Sequence, residues 1–405
     1  MVGNPHQGFR RAPAGQDAVV PVRDFAAERR ALPRPQWVLA ALGVSAALVA
    51  IVAVPHDARG AAAQCWPAFV LVAGLLLVGL VADQDGLFAS GGHALARLAP
   101  NGWALYAGTA VLVVAVTTLL NLDTAVTFLT PVLVYAARSR GEGEAPLLYG
   151  CLLLANASSL LLPGSNLTNV IVLGHLHLSG RAFLEHMALA GLSAAVVTAL
   201  VVAVVHRGEL RTTIAPGAAP GRPVLGVGLV AVLAVTVLVV VLRSPALPVA
   251  GVGLAAVAWR GLSRRTAPEA AVRVLGLPVL VGLFGLAVAL GTLGRVWSGP
   301  STMLEHLSSW ATAPVAAVVS VLVNNLPAAS LLAAHAPPHP YTLLVGLNVG
   351  PNLFATGSLA WVLWLRAARD AGAQPDVAHA SRLGLLSVPP ALGVAVLALL
   401  ATGAG

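Results

Sequence analysis

Residues 119–131 read LLNLDTAVTFLTP and interrupt one of the longest apolar runs in the chain. The run extends from Trp103 to Ala137, which would be about 52 Å long as one continuous helix at about 1.5 Å per residue. The hydrocarbon core of a membrane is only about 30 Å thick. The run must therefore break, and Asn121-Leu122-Asp123 is the polar point at which it can.

The composition places this break in a membrane protein. Of the 405 residues, 58% are hydrophobic and 9% are charged, whereas soluble proteins carry about 25% charged residues. This excludes a water-soluble enzyme. All 23 basic residues are arginine, and the net charge is +8. Since these arginines lie in the N-terminal tail and in short loops between apolar runs, they indicate cytoplasmic loops and not nucleic-acid binding.

Two consecutive runs in the first half are broken. A re-entrant hairpin over Trp103 to Ala137 would leave the flanking Arg97 and Arg138 together on the cytoplasmic side, so we predict a hairpin there. The next run, Leu147 to Leu178, contains Pro163-Gly164-Ser165-Asn166, where proline lacks a donor and glycine tolerates any φ. This pattern predicts one crossing made of two half-helices.

The second half repeats this order. The run Leu307 to Ala334 is broken at Asn324-Asn325-Leu326-Pro327, and the run Tyr341 to Leu365 is broken around residues 350–352 and 356–358. Pro163-Gly164-Ser165-Asn166-Leu167 aligns weakly with Val349-Gly350-Pro351-Asn352-Leu353. We therefore predict an all-α polytopic membrane protein with an inverted repeat, two re-entrant hairpins and two broken transmembrane helices, which is an architecture of secondary transporters.

This organisation gives four predicted segments, with nine crossings in addition to the two hairpins. They are a disordered basic cytoplasmic tail (1–35), a first transmembrane repeat (36–206), a cytoplasmic loop with a linking helix (207–243) and a second, inverted repeat (244–405).

The breaks are the candidate substrate and ion site, because unwound backbone at membrane depth is costly unless it lines a cavity. Asp123 is the only acidic residue well inside an apolar run, so we predict that it takes up the coupling proton or cation. The alternative is that Asp123 only caps the second hairpin arm. The predicted site comprises Asn121, Asp123, Thr124, Ser165, Asn166, Thr168, Asn324, Asn325, Asn352, Thr356 and Ser358.

Each group of polar residues has a plainer interpretation. The asparagines at the hairpin tips are either ligands or turn formers, since asparagine suits left-handed turns. The polar residues that follow Ser165 either line the site or form hydrogen bonds between helices. No nucleotide-binding loop and no cofactor or metal motif is present in the sequence, so we expect neither direct use of ATP by this chain nor a cofactor.

The four motifs together resemble the arsenite/antimonite permeases of the ion transporter superfamily, which also holds sodium/proton antiporters and divalent-anion symporters. The motifs are Asn121-Leu122-Asp123-Thr124-Ala125-Val126, Ser165-Asn166-Leu167-Thr168-Asn169, Val323-Asn324-Asn325-Leu326-Pro327, and Gly350-Pro351-Asn352 with Thr356-Gly357-Ser358. The resemblance covers roughly residues 36–402. Two departures stand out: Leu122 separates an asparagine and an aspartate that are usually adjacent, and Asn352 replaces an expected lysine.

The resemblance implies proton-coupled export of arsenite or antimonite as a neutral hydroxide across the plasma membrane, while the arginines of the tail predict a cytoplasmic N-terminus. It also implies a possible homodimer and a possible cytoplasmic ATPase subunit. The transporter alternatives are sodium- or proton-coupled transport of inorganic or dicarboxylate anions, and sodium/proton antiport. The non-transporter alternative is a membrane channel or scaffold. In each transport hypothesis the partners are a small solute, a coupling proton or sodium ion, and membrane lipid.

Overall fold

The computed structural model describes residues 34–141, 143–174, 176, 178–211, 226–263 and 268–405. The predicted N-terminal tail lies outside these residues except for its last two positions. All regular secondary structure in the described ranges is helical. The helices of the first half are α1 (Arg34–Ala53), α2 (Pro55–Gln84), α3 (Leu87–Leu98), α4 (Gly102–Leu119), α5 (Leu122–Ser139), α6 (Ala145–Ser158), α7 (Leu167–Leu173) and α8 (Gly180–Val205).

Helix α9 (Val227–Val241), in the predicted linking segment, follows the undescribed residues 212–225, and the second half begins with α10 (Ala246–Leu262). The helices that follow are α11 (Pro268–Leu275), α12 (Leu277–Val296), α13 (Gly299–Glu305), α14 (Ser309–Val323), α15 (Asn325–Leu332), α16 (Pro340–Val349), α17 (Leu359–Asp370) and α18 (Val377–Ala401). Short 3₁₀ turns cover Pro163–Ser165, Glu209–Arg211 and Gly350–Leu353.

The apolar runs end and begin close to where the sequence predicts. The run around Asn121 forms α4 and α5, which are separated by Leu120 and Asn121, and the run around Asn324 forms α14 and α15, which are separated by Asn324 alone. Within the described chain, six helical segments are long and apolar enough to cross a membrane, and four shorter apolar helices accompany them. The predicted all-α polytopic fold is confirmed, while the re-entrant course of the two hairpins stays a prediction.

The two halves use equivalent contacts. In the first half α4 packs on α6, and in the second half α14 packs on α16. Across the halves, α5 packs on α17 and α15 packs on α7. Each second hairpin arm therefore contacts the second half-helix of the opposite repeat, which brings all four breaks into the same part of the fold.

The first helix of each half also packs on the opposite half. Helix α1 packs on α12, and α10 packs on α2. Both contacts depend on glycine: a Cβ at Gly285 would overlap the backbone of Gly43, and a Cβ at Gly253 would lie 2.6 Å from the carbonyl oxygen of Gly74. Small residues at such crossings let helix backbones approach closely.

Candidate functional site

The tip of the first hairpin is buried and polar. Asn121 ends the break in extended conformation, and its Oδ1 accepts a hydrogen bond from the backbone N–H of Thr124 at 2.7 Å. Asn121 is therefore the N-cap of α5, so the alternative in which Asp123 caps this helix is wrong. Asp123 lies in the first turn and is only 3% exposed. Among the described residues, no hydrogen bond or ion pair engages its carboxylate.

Unpartnered polar atoms are concentrated around this tip. Of the buried side-chain donors and acceptors without a partner in the described part of the chain, half lie between residues 117 and 127. They are Thr117 Oγ1, Thr118 Oγ1, Asn121 Nδ2, Thr124 Oγ1 and Thr127 Oγ1. A buried polar group without a partner costs about 1–3 kcal/mol. Such a concentration is typical of a place where a bound solute or ion supplies the missing partners.

The first break is organised around Asn348, a residue of α16 in the opposite half. Its Oδ1 accepts hydrogen bonds from Asn166 Nδ2 at 2.6 Å, Ser159 Oγ at 2.7 Å and Thr168 Oγ1 at 3.3 Å. Its Nδ2 donates to Asn169 Oδ1 at 3.0 Å. All five side chains are buried. One amide of the second half thus bonds to four side chains of the first break.

The second break has the reciprocal arrangement with Asn156 of α6. Ser358 Oγ donates to Asn156 Oδ1 at 3.3 Å. Asn352 Nδ2 donates to the carbonyl oxygen of Leu153, also in α6, at 2.9 Å, and Asn352 Oδ1 is buried without a partner. The end of α6 therefore bonds to the second break, as the end of α16 bonds to the first.

The helix starts correct one alignment made from the sequence. Asn166 is the N-cap of α7, and the residue in the same position before α17 is Ser358. Asn352 instead lies in the 3₁₀ turn that follows α16 directly. Asn166 thus corresponds to Ser358 and not to Asn352. In the first break the 3₁₀ turn lies next to α7, the half-helix after the break. In the second break it lies next to α16, the half-helix before the break.

The tip of the second hairpin contacts the second break directly. Asn324 has a left-handed φ of 73° and caps α15 by accepting a hydrogen bond from the backbone N–H of Leu326. Its Nδ2 donates to the carbonyl oxygen of Thr356 at 3.3 Å, and the backbone N–H of Asn325 donates to the carbonyl oxygen of Gly357 at 2.8 Å. Asn324 is half-buried and Thr356 is exposed, so this tip is more open than the first.

Each break is also tied to the first arm of the hairpin in its own half. Ser165 Oγ donates to the carbonyl oxygen of Thr118 at 3.3 Å, and Thr356 Oγ1 donates to that of Val321 at 2.8 Å. Both acceptors lie three residues before the capping asparagine of the hairpin tip. The hydrogen bonds thus join the two hairpin tips and the two breaks into one network. The structure does not bring the carboxylate of Asp123 into this network.

The sequence analysis missed Asn156 and Asn348. Both lie in helical runs ahead of the predicted breaks and not within them, so the breaks did not point to them. The available signal was a lone amide in an otherwise apolar run, as in Leu347-Asn348-Val349. A polar side chain inside such a run requires a partner, which here is supplied by the opposite half.

The arrangement suits small charged solutes. Four helices, α5, α7, α15 and α17, begin within the network or at its tips. Their first N–H groups carry partial positive charge that favours anions. The hydroxyl, amide and backbone oxygens beside them are hard ligands of the kind that alkali and alkaline-earth cations prefer. The network and its helix starts therefore offer groups for an anion and groups for a cation.

The comparisons with known proteins agree with this architecture. A family model described as CitMHS, citrate transporter, matches residues 28–365, a range that includes both hairpins and both broken helices. The solved structure of the YdaH transporter of Alcanivorax borkumensis, described as having an unusual topology, matches with a TM-score of 0.53 at 14% identity. The match covers 92% of this chain and 98% of that chain. No curated protein matched the chain.

The family match covers well over half of the chain and both broken helices. The prediction of a multi-pass membrane transporter and not an enzyme is confirmed, whereas the finer likeness to arsenite and antimonite permeases stays a prediction. The chain belongs to the CitMHS citrate transporter family.

Proposed function

We propose that this member of the citrate transporter family is a secondary active transporter that moves a multiply charged carboxylate anion, with citrate as the first candidate, together with a proton or sodium ion. The observation that carries the proposal is the reciprocal bonding of the two breaks, Asn348 to the first and Asn156 to the second. A site built from both halves of a repeat can change its access when the halves move relative to each other.

The anion would bind at the starts of the half-helices. Asn166 and Ser358 occupy the N-cap positions of α7 and α17, so the backbone N–H groups that follow them are positive ends of helix dipoles beside the two breaks. No arginine or histidine takes part in the hydrogen bonds described for the two breaks, and a carboxylate there would depend on N–H, hydroxyl and amide donors. A co-transported cation would offset the remaining negative charge.

Asp123 would couple this transport to an ion. A buried carboxylate without a partner is unfavourable when it is charged, and a bound proton or sodium ion removes that cost. The unpartnered hydroxyls and amide around the tip, including Thr124 Oγ1 and Asn121 Nδ2, would complete the surroundings of such an ion. The remaining predicted site residues would position or contact the solute.

A second candidate is export of arsenite or antimonite, coupled to protons. It is favoured by the uncharged character of the network, because amides and hydroxyls are suited to hydrogen bonds with a neutral hydroxide. The same residues would then serve as donors and acceptors, and Asp123 would carry the proton. Under either candidate we propose location in the plasma membrane with a cytoplasmic N-terminus, and the repeat boundaries given above.

Uptake by the full-length protein in proteoliposomes tests this function. Labelled citrate is supplied outside while a sodium gradient, a proton gradient or neither is imposed, and trivalent arsenic is measured in parallel vesicles. We expect citrate to accumulate when one of the two gradients is present and to leak out when that gradient is collapsed. The Asn101→Ala protein, altered at an exposed helix cap outside the site, is the matched control.

The outcomes separate the candidates. Gradient-driven accumulation of arsenic without citrate uptake would replace the first candidate by the second. Equilibration of either solute without accumulation under any gradient would indicate a channel and contradict secondary transport.

A further inference from the structure

Two histidines meet at one end of the molecule, away from the hairpin tips. His206 is the C-cap residue of α8, and His379 lies in the first turn of α18. Their Nε2 atoms are 3.2 Å apart. Because α8 and α18 are the last helices of the two halves and pack on each other, this contact joins the halves at the helix ends.

Glu209 determines which nitrogen of His206 carries a proton. His206 Nδ1 lies 2.8 Å from Glu209 Oε1, and a carboxylate oxygen accepts a hydrogen bond, so Nδ1 carries the hydrogen. In neutral His206 the Nε2 atom is then an acceptor. It receives the hydrogen bond from Nε2–H of His379. The contact therefore holds one proton between the two facing nitrogens.

A second proton would place two N–H groups opposite each other. His206 has little room to adjust, since it is 5% exposed and its ring lies 5.9 Å from the ring of Tyr149. His379 is half-buried, with its ring 4.8 Å from that of Tyr149. The hydroxyl of Tyr149 accepts a hydrogen bond from the backbone N–H of Asp376 at 3.1 Å. Because His206 is held in place, relief of the repulsion between the two rings would move His379, and the start of α18 with it, away from α8.

The charged groups around the pair come from each element packed against it. The 3₁₀ turn after α8 contributes Glu209, and the start of α6 contributes Glu144 beside Tyr149. Helix α18 contributes Asp376 at its cap and Arg382 about one turn beyond His379. Glu209 and Asp376 place negative charge beside the pair, and Arg382 places positive charge there. Trp364 of α17 closes the cluster with its ring 5.8 Å from that of Tyr149.

We propose that His206 and His379 form a proton-binding site, separate from the central network, whose second proton opens the contact between α8 and α18. The site would let the pH of the adjoining aqueous phase control how firmly the last helices of the two halves are held together. Histidine is suited to this role because it changes charge between about pH 5 and pH 8.

Hydrogen exchange of the full-length protein in lipid nanodiscs tests the proposal without a transport assay. Exchange of peptides from the end of α8 and the start of α18 is followed between about pH 5 and pH 8. Peptides of α12 serve as the internal reference for the intrinsic pH dependence. The corrected rate at the α8 and α18 ends should rise as the pH falls, by up to about tenfold per pH unit, because the opening is linked to one proton.

Three variants decide the cause of the rise. In His379→Gln, the introduced side-chain amide can donate a hydrogen bond to neutral His206 and accept one from the protonated ring, so hydrogen exchange should stay slow at every pH. His379→Leu can do neither, so exchange should be fast at every pH. His186→Gln alters a histidine of α8 that lies 2.6 Å from the carbonyl oxygen of Ala182 and stacks on Tyr341, away from the pair, and should keep the wild-type rise. A pH-dependent rise that survives in His379→Gln, or its absence in the wild type, would overturn the proposal.

Discussion

At the scale of single residues, the most consequential side chain is Asn348. One buried amide contacts Ser159, Asn166, Thr168 and Asn169, which are about 180 residues earlier in the chain. An apolar replacement would remove the acceptor of Thr168 Oγ1, one acceptor each of Ser159 Oγ and Asn166 Nδ2, and the donor to Asn169 Oδ1. Since buried groups without partners are costly, the break itself should depend on this residue.

We therefore expect Asn348→Leu to destabilise the protein by several kcal/mol, because each buried polar group left without a partner costs about 1–3 kcal/mol. Uptake of the substrate should be lost even in the fraction that remains folded. Asn101→Ala, which removes one exposed cap bond, should cost only about 1 kcal/mol. Thermal unfolding in detergent measures both, and equal effects of the two variants would contradict a central role for Asn348.

The residues at the hairpin tips could be predicted, and their partners could not. Asn121 and Asn324 interrupt apolar runs, so the local pattern shows that the helix must stop there. Their capping bonds are local as well. Asn156 and Asn348 act across the two halves, and the spacing along the chain carries no information about which distant residue an amide will meet.

At the scale of helices, glycine sets how closely α1 approaches α12. A Cβ at Gly282 would lie 2.7 Å from the carbonyl oxygen of Leu39, and one at Gly285 would overlap the backbone of Gly43. Gly74 and Gly253 have the equivalent role between α2 and α10. Association of helices within lipid depends on such close packing, because lipid chains are as apolar as the helices themselves.

Replacement of Gly285 by leucine should separate α1 from α12 and lower the free energy of unfolding by about 1–3 kcal/mol, as expected for overpacking. The matched control is Gly251→Leu on α10, where nothing lies within 4 Å of an added Cβ. There the better helix propensity of leucine should give a gain of up to about 1 kcal/mol. The midpoints of thermal unfolding compare the two, and a loss of similar size in both would argue against close packing as the cause.

The sequence pattern located the long helices better than the short ones. The length of an apolar run is enough to predict a membrane-spanning helix. Helices α3 and α13 are short and mix polar with apolar residues, so the length of apolar runs does not predict them. Both lie between a long helix and the hairpin that follows it. Their equivalent positions became visible only when the packing of the two halves was compared.

At the scale of the whole molecule, the two halves exchange elements: parts of each half pack on the other half. The first helix of each half packs on the other half, and each broken helix bonds through an asparagine to the break of the other. The duplication was predictable from the order of the motifs. The exchange was not, because helix order along the chain does not determine which half a peripheral helix joins.

Variants of Asp123 show whether this site couples an ion to the solute. In proteoliposomes, Asp123→Asn should still exchange labelled for unlabelled citrate across the membrane while losing gradient-driven accumulation, because a neutral amide cannot take up or release the coupling ion. Asp123→Glu should retain part of the accumulation. Wild-type accumulation by Asp123→Asn, with the same dependence on the imposed gradient, would contradict coupling through Asp123.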